Sequence, residues 1–85
     1  MVESLSKRGW KLRIQALRMK AMAGDVSAAT EVGLTLLEGI RGRDGQSIVR
    51  RDSRAAVVFL RKAAIAGDDT AASSLGYAYD IGLGT

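Results

Sequence analysis

The carboxylates of Glu31 and Glu38 are the first candidates for chemistry in this chain of 85 residues. Their spacing places both on one helix face, two turns apart. Two such carboxylates share acid and base roles only when burial gives them different proton affinities, and Thr35 between them favours an ordinary solvated face. The chain has no His and no Cys, which excludes Ser-His relays, thiolate nucleophiles, haem and ordinary zinc sites. We therefore expect no enzyme activity, no catalytic residue and no cofactor.

Two patterns in the middle of the chain fall short of a ligand motif. Asp44 and Asp52 flank a loop, but they lack the dense oxygen spacing of a calcium site. Gly39, Gly42 and Gly45 neither follow a strand nor precede a Lys-Ser/Thr pair, as a phosphate-binding loop requires. The sequence therefore predicts neither a metal site nor a phosphate-cradling loop.

Basic residues form two groups and give a net charge of +4. The first group, on the predicted first helix, consists of Lys7, Arg8, Lys11, Arg13, Arg18 and Lys20. The second group, the basic loop patch, consists of Arg41, Arg43, Arg50, Arg51 and Arg54. If the two groups converge, they could grip phosphates, an acidic peptide or anionic lipid, so one hypothesis is a module that binds nucleic acid or an anionic membrane. A charge of this size is also ordinary for a small domain, and no aromatic residues alternate with the loop arginines.

An internal repeat must position these residues. The pattern Ala23-Gly24-Asp25, Ala28-Ala29, Val32-Gly33, Gly39 recurs 43 positions later as Ala66-Gly67-Asp68, Ala71-Ala72, Leu75-Gly76, Gly82. A unit of this length cannot bury its own apolar face and must stack on a copy of itself. Each Gly followed by a capping Asp predicts a tight turn between two helices. The sequence therefore predicts an all-α fold of antiparallel helical hairpins, stacked as a short α-solenoid.

The 3.6-residue period of apolar residues predicts four main helices, at residues 10–23, 26–38, 53–66 and 69–81. Their apolar stripes are Trp10, Ile14, Leu17 and Ala21; Ala29, Val32, Gly33 and Leu36; Ala56, Phe59, Leu60, Ala63 and Ala64; and Ala72, Leu75, Gly76 and Tyr79. Residues 40–51 are predicted to be irregular. Gly33 and Gly76 lie inside helices, where each costs about 1 kcal/mol relative to Ala, so we expect a neighbouring helix to cross closely at both.

Two spaced motifs follow from the repeat. They are Asp52-x-x-x-Ala56-x-x-Phe59-x-x-x-Ala63-Ala64-x-x-Gly67 and Ala72-x-x-Leu75-Gly76-x-x-Tyr79-x-x-Gly82-x-Gly84. They resemble the Sel-1-like repeat, a relative of the tetratricopeptide repeat, and the long Gly-containing connection favours the Sel-1-like type. The resemblance divides a single domain, 1–85, into a degenerate half-repeat (10–24), a first full repeat (25–67) and the start of a second (68–85). We therefore expect a fragment of a longer array.

The resemblance implies a non-catalytic protein-interaction module. Sel-1-like repeat proteins typically act as adaptors in complex assembly, in signalling and in host interaction by bacteria, although some members of the wider family have hydrolytic roles. In related repeats the equivalent helices line a concave surface where partners dock. The corresponding residues here are Ser27, Thr30, Leu34, Leu37, Thr70, Ser73, Tyr77 and Asp80, which could instead pack one repeat against the next.

The expected partner is another protein or a peptide on this concave face. Self-association through the uncovered fourth helix is an alternative, because the residues given do not supply that helix with its usual cover. Neither a signal peptide nor a membrane-spanning stretch is visible, which predicts a cytoplasmic location.

Overall fold

The structure is a computed structural model that describes residues 7–42 and 45–82. Its helices are α1 (Lys7–Met22), α2 (Val26–Glu38), α3 (Ser53–Ile65) and α4 (Asp69–Asp80), and its strands are β1 (Ile40–Arg41) and β2 (Ser47–Val49). The predicted all-α fold of helical hairpins is confirmed. The predicted helix bounds hold to within one residue, except that α1 begins three residues earlier than expected.

Aspartate side chains cap the N-termini of α2, α3 and α4. Asp25, Asp52 and Asp68 each accept a hydrogen bond from the backbone N–H three residues later, at 2.9, 3.1 and 2.8 Å. Gly24 and Gly67 have φ values of 103° and 102°, a region that strains any residue with a side chain. The hairpins α1–α2 and α3–α4 are therefore joined by the same Gly-Asp turn, as the repeat predicts.

The core forms mainly between α2 and α3, and α4 and β2 add buried residues to it. All four predicted stripe residues of α2 are buried. On α3, Ala56, Leu60 and Ala63 are buried, and Phe59 and Ala64 are half-buried against the core. The stripe of α1 also packs against this core, but α1 contributes no buried residue. The predicted core faces of the first three helices are thus confirmed.

Gly33 lets α3 approach α2 closely. A Cβ atom at Gly33 would lie 2.6 Å from Cγ of Leu60 and 3.3 Å from the carbonyl oxygen of Ala56. The Asp52 N–H donates to the carbonyl of Leu36 at 2.8 Å, so the start of α3 lies beside the end of α2. The two helices therefore run antiparallel, and the predicted close crossing at Gly33 is confirmed.

The predicted apolar stripe of α4 is wrong in part. The buried residues of this helix are Ala71 and Ala78, with Leu75 half-buried, whereas Ala72, Gly76 and Tyr79 are exposed. A Cβ atom at Gly76 would meet nothing within 4 Å, so the close crossing expected there is absent from the described structure. The physical reason is that α4 packs against α3 and α2 with its Ala71–Ala78 side, whereas Tyr79 on the other side contacts the exposed Arg61 side chain of α3.

The segment predicted to be irregular contains a β-hairpin. Strands β1 and β2 pair antiparallel, with Ile40 opposite Val49. Gly45 has a φ of 81° in the connecting turn, while the preceding Asp44 lies outside the described residues. The β-branched side chains of Ile40, Ile48 and Val49 favour strands. They also pack against the helical core, so the hairpin is anchored to it.

Candidate partner-binding site

A groove of about 480 Å³ separates α2 from α4. Its lining residues are Leu34, Leu37, Glu38, Arg51, Ser73, Ser74, Tyr77 and Ile81, and together they define the α2–α4 groove. Four of them, Leu34, Leu37, Ser73 and Tyr77, belong to the predicted partner-binding set. Because α2 and α4 occupy equivalent positions in the repeat, the groove lies where two successive repeats meet.

Apolar side chains line much of the α2–α4 groove. Leu37 is buried in the core and Leu34 is half-buried against it, so packing holds both in place. Tyr77 is 58% exposed and Ile81 50% exposed, which leaves their apolar surface free of the core. An exposed Tyr combines a large apolar ring with a hydroxyl, a combination that is enriched at protein interfaces. The groove can therefore receive an apolar side chain from a partner.

The polar groups of the groove carry both signs of charge. Glu38 ends α2 and Arg51 precedes α3, so one acidic and one basic side chain line the same groove. Ser73 and Ser74 add hydroxyls that either donate or accept hydrogen bonds. This mixture is complementary to a polypeptide, which presents donors, acceptors and both charges, rather than to a uniformly negative polymer.

The other four predicted partner-binding residues do not line the groove. Thr30 is buried, and its hydroxyl donates to the carbonyl of Val26 at 3.2 Å, so it is not available to a partner. Ser27, Thr70 and Asp80 are exposed on α2 and α4 but lie outside the lining. The α2–α4 groove thus contains four of the eight residues predicted to bind a partner.

Sequence reasoning missed four lining residues for identifiable reasons. Glu38 is assigned to the carboxylate pair and Arg51 to the basic loop patch, because neither belongs to the repeat pattern. Arg51 reaches the groove because the β-hairpin returns the chain to the start of α3. Ser74 and Ile81 each follow a buried alanine of α4 by three residues, so the correct buried face of α4 would have placed them beside α2.

The two basic groups meet at a second site. A cleft of about 270 Å³, the arginine cleft, is lined by Arg18, Arg50 and Arg51 together with Ile14, Leu36, Val49 and Asp52. The guanidinium carbon of Arg18 lies 5.6 Å from the centroid of the Phe59 ring, a cation–π contact that orients the side chain. The convergence that the anion-binding hypothesis requires therefore occurs for these three arginines.

Arg41 and Arg54 of the basic loop patch do not line the arginine cleft. Arg41 donates to the carbonyl of Gly45 at 2.9 Å, within the β-hairpin. Arg54 is exposed in the first turn of α3, and Arg43 lies outside the described residues. Among the described residues of this patch, Arg50 and Arg51 are thus the two that line the cleft beside the first helix.

The candidate carboxylate pair is divided between two environments. Glu31 forms an ion pair with Arg13 across the α1–α2 hairpin, and both side chains remain nearly half exposed. Glu38 lines the α2–α4 groove. Within residues 7–42 and 45–82 no group of three acidic side chains is close enough to hold a metal ion. The two glutamates therefore have different neighbours.

Comparisons with known proteins add no relative to this picture. No family model matches the chain, and no match is found among curated proteins or solved structures. None of the described helices has the length and apolar character needed to cross a membrane. Function must therefore be inferred from the α2–α4 groove and the arginine cleft themselves.

Proposed function

We propose that this chain is a non-catalytic protein-interaction module built from Sel-1-like repeats, and that the α2–α4 groove binds a segment of another protein. The single observation that carries the proposal is the groove itself. Two repeat-equivalent helices there present fixed leucines beside the exposed side chains of Tyr77 and Ile81. An adaptor role and the predicted cytoplasmic location belong to the same proposal.

The local geometry supports the repeat assignment. Gly33, the repeat counterpart of the motif glycine Gly76, contacts α3 where a Cβ atom could not fit, whereas Gly76 itself faces open space. Both motif turns use a positive-φ glycine followed by an aspartate that caps the next helix. These features are what a stack of equivalent helical hairpins requires.

The groove favours a short peptide segment with one apolar anchor. Its volume of about 480 Å³ falls within the range of about 300–1,000 Å³ that is typical of ligand sites. Leu34, Leu37 and Tyr77 provide the apolar contact, and the opposite charges of Glu38 and Arg51 orient a partner that carries both signs. The expected partner is therefore a protein segment with a large apolar residue near charged neighbours.

A peptide-display selection on the wild-type chain tests this proposal. Peptides enriched on the wild type are measured by calorimetry against Tyr77→Ser, with Ile65→Ser as the matched control, because Ile65 is 80% exposed and lies outside the groove. We expect Tyr77→Ser to weaken binding at least tenfold with unchanged helicity, and Ile65→Ser to bind like the wild type. Equal affinity for all three proteins would contradict the groove as the binding site.

The arginine cleft supports a second candidate function, the binding of anionic groups such as nucleic-acid phosphates. Arg18, Arg50 and Arg51 line one cleft with a single acidic residue, Asp52. That carboxylate already accepts the N–H of Ala55. Guanidinium groups bind phosphate and carboxylate through paired hydrogen bonds.

The salt dependence of binding tests the arginine cleft. A fluorescent single-stranded oligonucleotide should bind at ~50 mM salt, lose affinity steeply as salt rises, and bind less well to Arg18→Gln than to Arg54→Gln. Arg54 is the control because it is exposed outside the cleft lining. The absence of a complex at ~50 mM salt would exclude this second function.

A further inference from the structure

One side of α4 is equivalent in the repeat to the side of α2 that α3 covers. Ala72, Gly76, Tyr79 and Asp80 form this uncovered α4 face. All four are exposed, and Tyr79, at the edge of the face, also accepts a hydrogen bond from the Arg61 side chain of α3. Their equivalents 43 positions earlier are Ala29, Gly33, Leu36 and Leu37, and all four are buried. A Cβ atom at Gly33 would overlap Leu60, whereas one at Gly76 would meet nothing within 4 Å. The helix-binding notch of α2 therefore recurs on α4 without an occupant in the described structure.

Helix α1 has the features of an occupant. It precedes the same Gly-Asp turn as α3, so α1 and α3 hold equivalent places in the repeat. Leu17 is the equivalent of Leu60, the residue that fills the notch at Gly33. Leu17 is half-buried because it packs against the core of its own chain, while Ala16 and Lys20 on neighbouring positions are exposed. The side of α1 that corresponds to the α2-facing side of α3 is thus partly exposed.

The exposed side of α1 and the uncovered α4 face differ in charge from the equivalent surfaces of α3 and α2, which contact each other within the chain. Where α3 has Ala56 and Ala63, α1 has Arg13 and Lys20. Where α2 has Leu37 and Val26, α4 has Asp80 and Asp69. Basic residues therefore replace alanines on the α1 surface, and acidic residues replace apolar ones on the α4 surface.

The charge difference extends over whole helices. Helix α1 carries six basic residues and no acidic one, namely Lys7, Arg8, Lys11, Arg13, Arg18 and Lys20. Helix α4 and its cap carry three aspartates, Asp68, Asp69 and Asp80, and no basic residue. Opposite charge on two surfaces that share one packing pattern favours their association over α1–α1 or α4–α4 contacts.

We propose that the uncovered α4 face binds α1 of a second copy of this chain, head to tail. Leu17 of one copy lies over Gly76 of the other, as Leu60 lies over Gly33 within one chain. Because the start of α3 lies beside the end of α2, the same arrangement places Arg13 near Asp80 and Lys20 near Asp69. Arg13 also pairs with Glu31 of its own chain, and its five N–H donors allow it to contact both carboxylates. This interface lies outside the α2–α4 groove and goes beyond the proposed function.

Such a contact uses two different surfaces, so each added copy leaves one of each surface free. A heterologous contact of this kind forms open chains unless the rotation closes a ring. The interface also depends on pairing between exposed charges, which salt screens. The proposal therefore predicts growth with protein concentration and loss of growth at high salt.

Sedimentation equilibrium on the wild-type chain measures both effects. At ~50 mM salt the average mass should rise with concentration past twice the 9.0 kDa chain mass, and at ~500 mM salt it should return toward one chain, because the Debye length shortens severalfold. A chain that stays monomeric up to ~1 mM at low salt would overturn the proposal. A mass that stops at two copies would also overturn it, because it indicates a closed, symmetric contact.

Two variants block one surface each. Gly76→Leu places a side chain in the notch, and its Cβ atom meets nothing in the isolated chain. Arg13→Gln with Lys20→Glu removes the basic partners on α1. The control Arg54→Gln with Lys62→Glu makes the same change in charge on exposed positions of α3. We expect both blocking variants to be monomers and the control to assemble like the wild type.

Mixing the two blocking variants gives the decisive result. Each keeps the surface that the other lacks, so an equimolar mixture should form a two-copy complex that does not grow further. If the mixture stays monomeric while the control assembles, the head-to-tail contact is wrong. If Gly76→Leu loses helicity, Asp80→Arg replaces it as the α4 variant, with the same expected outcomes.

Discussion

Two glycines at equivalent repeat positions have different physical roles. At Gly33 the space that a side chain would need is occupied by Leu60, which is fully buried. At Gly76 the missing side chain leaves open space. Within one chain, glycine therefore allows helix packing at Gly33, whereas at Gly76 it lowers the helix propensity of α4 without making room for an internal contact.

Alanine at these two positions should have opposite effects on stability. Gly33→Ala overpacks the α2–α3 contact and should lower the free energy of unfolding by about 1–3 kcal/mol. Gly76→Ala removes a helix-interior glycine without a clash and should raise it by about 0.5–1 kcal/mol. Urea denaturation followed by circular dichroism measures both, at a dilution where the wild type is monomeric. A stabilising Gly33→Ala would contradict the close crossing.

The aspartate caps should contribute measurably to stability. Asp68 accepts the Ala71 N–H at 2.8 Å at the start of α4. Asp68→Ala leaves that N–H without its cap and should lower the free energy of unfolding by about 1 kcal/mol. Asp68→Asn keeps an acceptor oxygen and serves as the control in the same denaturation experiment. Equal losses for the two variants would show that charge, rather than capping, is responsible.

At the scale of elements, sequence predicts a helix face well when neighbours cover every apolar residue on it. The stripe of α2 is correct because α1 and α3 both pack against it. The stripe of α4 is partly wrong because periodicity identifies apolar residues without showing which side has a neighbour. Ala71 and Ala72 are both small and apolar, and only packing distinguishes the buried one from the exposed one.

The β-hairpin and part of the candidate site also could not be predicted from periodicity in the sequence. Strands of two and three residues are too short to give a period-2 signal, so β1 and β2 could not be predicted. The repeat pattern is sufficient to predict Leu34, Leu37, Ser73 and Tyr77 as site residues, since they lie on equivalent helices. Arg51 depends on the path of the hairpin, and local sequence does not specify that path.

Helix α1 should be the least protected of the four helices. It has no buried residue, whereas α2 has seven. Elements with little burial open locally at lower free energy than the core does. Amide hydrogen exchange followed by NMR should show faster exchange along α1 than in the centres of α2 and α3. Equal protection in α1 and α2 would contradict this order of local stability.

At the scale of the whole molecule, the α2–α4 groove and the arginine cleft share one residue. Arg51 lines both, whereas Tyr77 lines only the groove and Arg50 only the cleft. The two candidate functions are therefore separable by substitution even though they lie next to each other. Binding in the two sites should also be coupled through the position of the Arg51 side chain.

Three substitutions should distinguish the two sites. Tyr77→Ser should weaken only peptide binding, Arg50→Gln only anion binding, and Arg51→Gln both. We expect losses of about 1–3 kcal/mol for the variants with an effect, because each removes a buried apolar contact or a charge-assisted hydrogen bond. Calorimetry with a selected peptide and with an oligonucleotide measures them. Loss of both ligands on Tyr77→Ser would indicate a shared site or a damaged fold.

The central claim is that the α2–α4 groove binds a protein segment, and chemical-shift mapping tests it most directly. A ¹⁵N-labelled chain is titrated with a selected peptide, and the shifted amides are located on the structure. We predict that the shifts concentrate at Leu34, Leu37 and Ser73–Ile81, with little change at Ile14, Arg18 or Arg50. Shifts concentrated at Arg18 and Arg50, or spread along α1 alone, would contradict the claim.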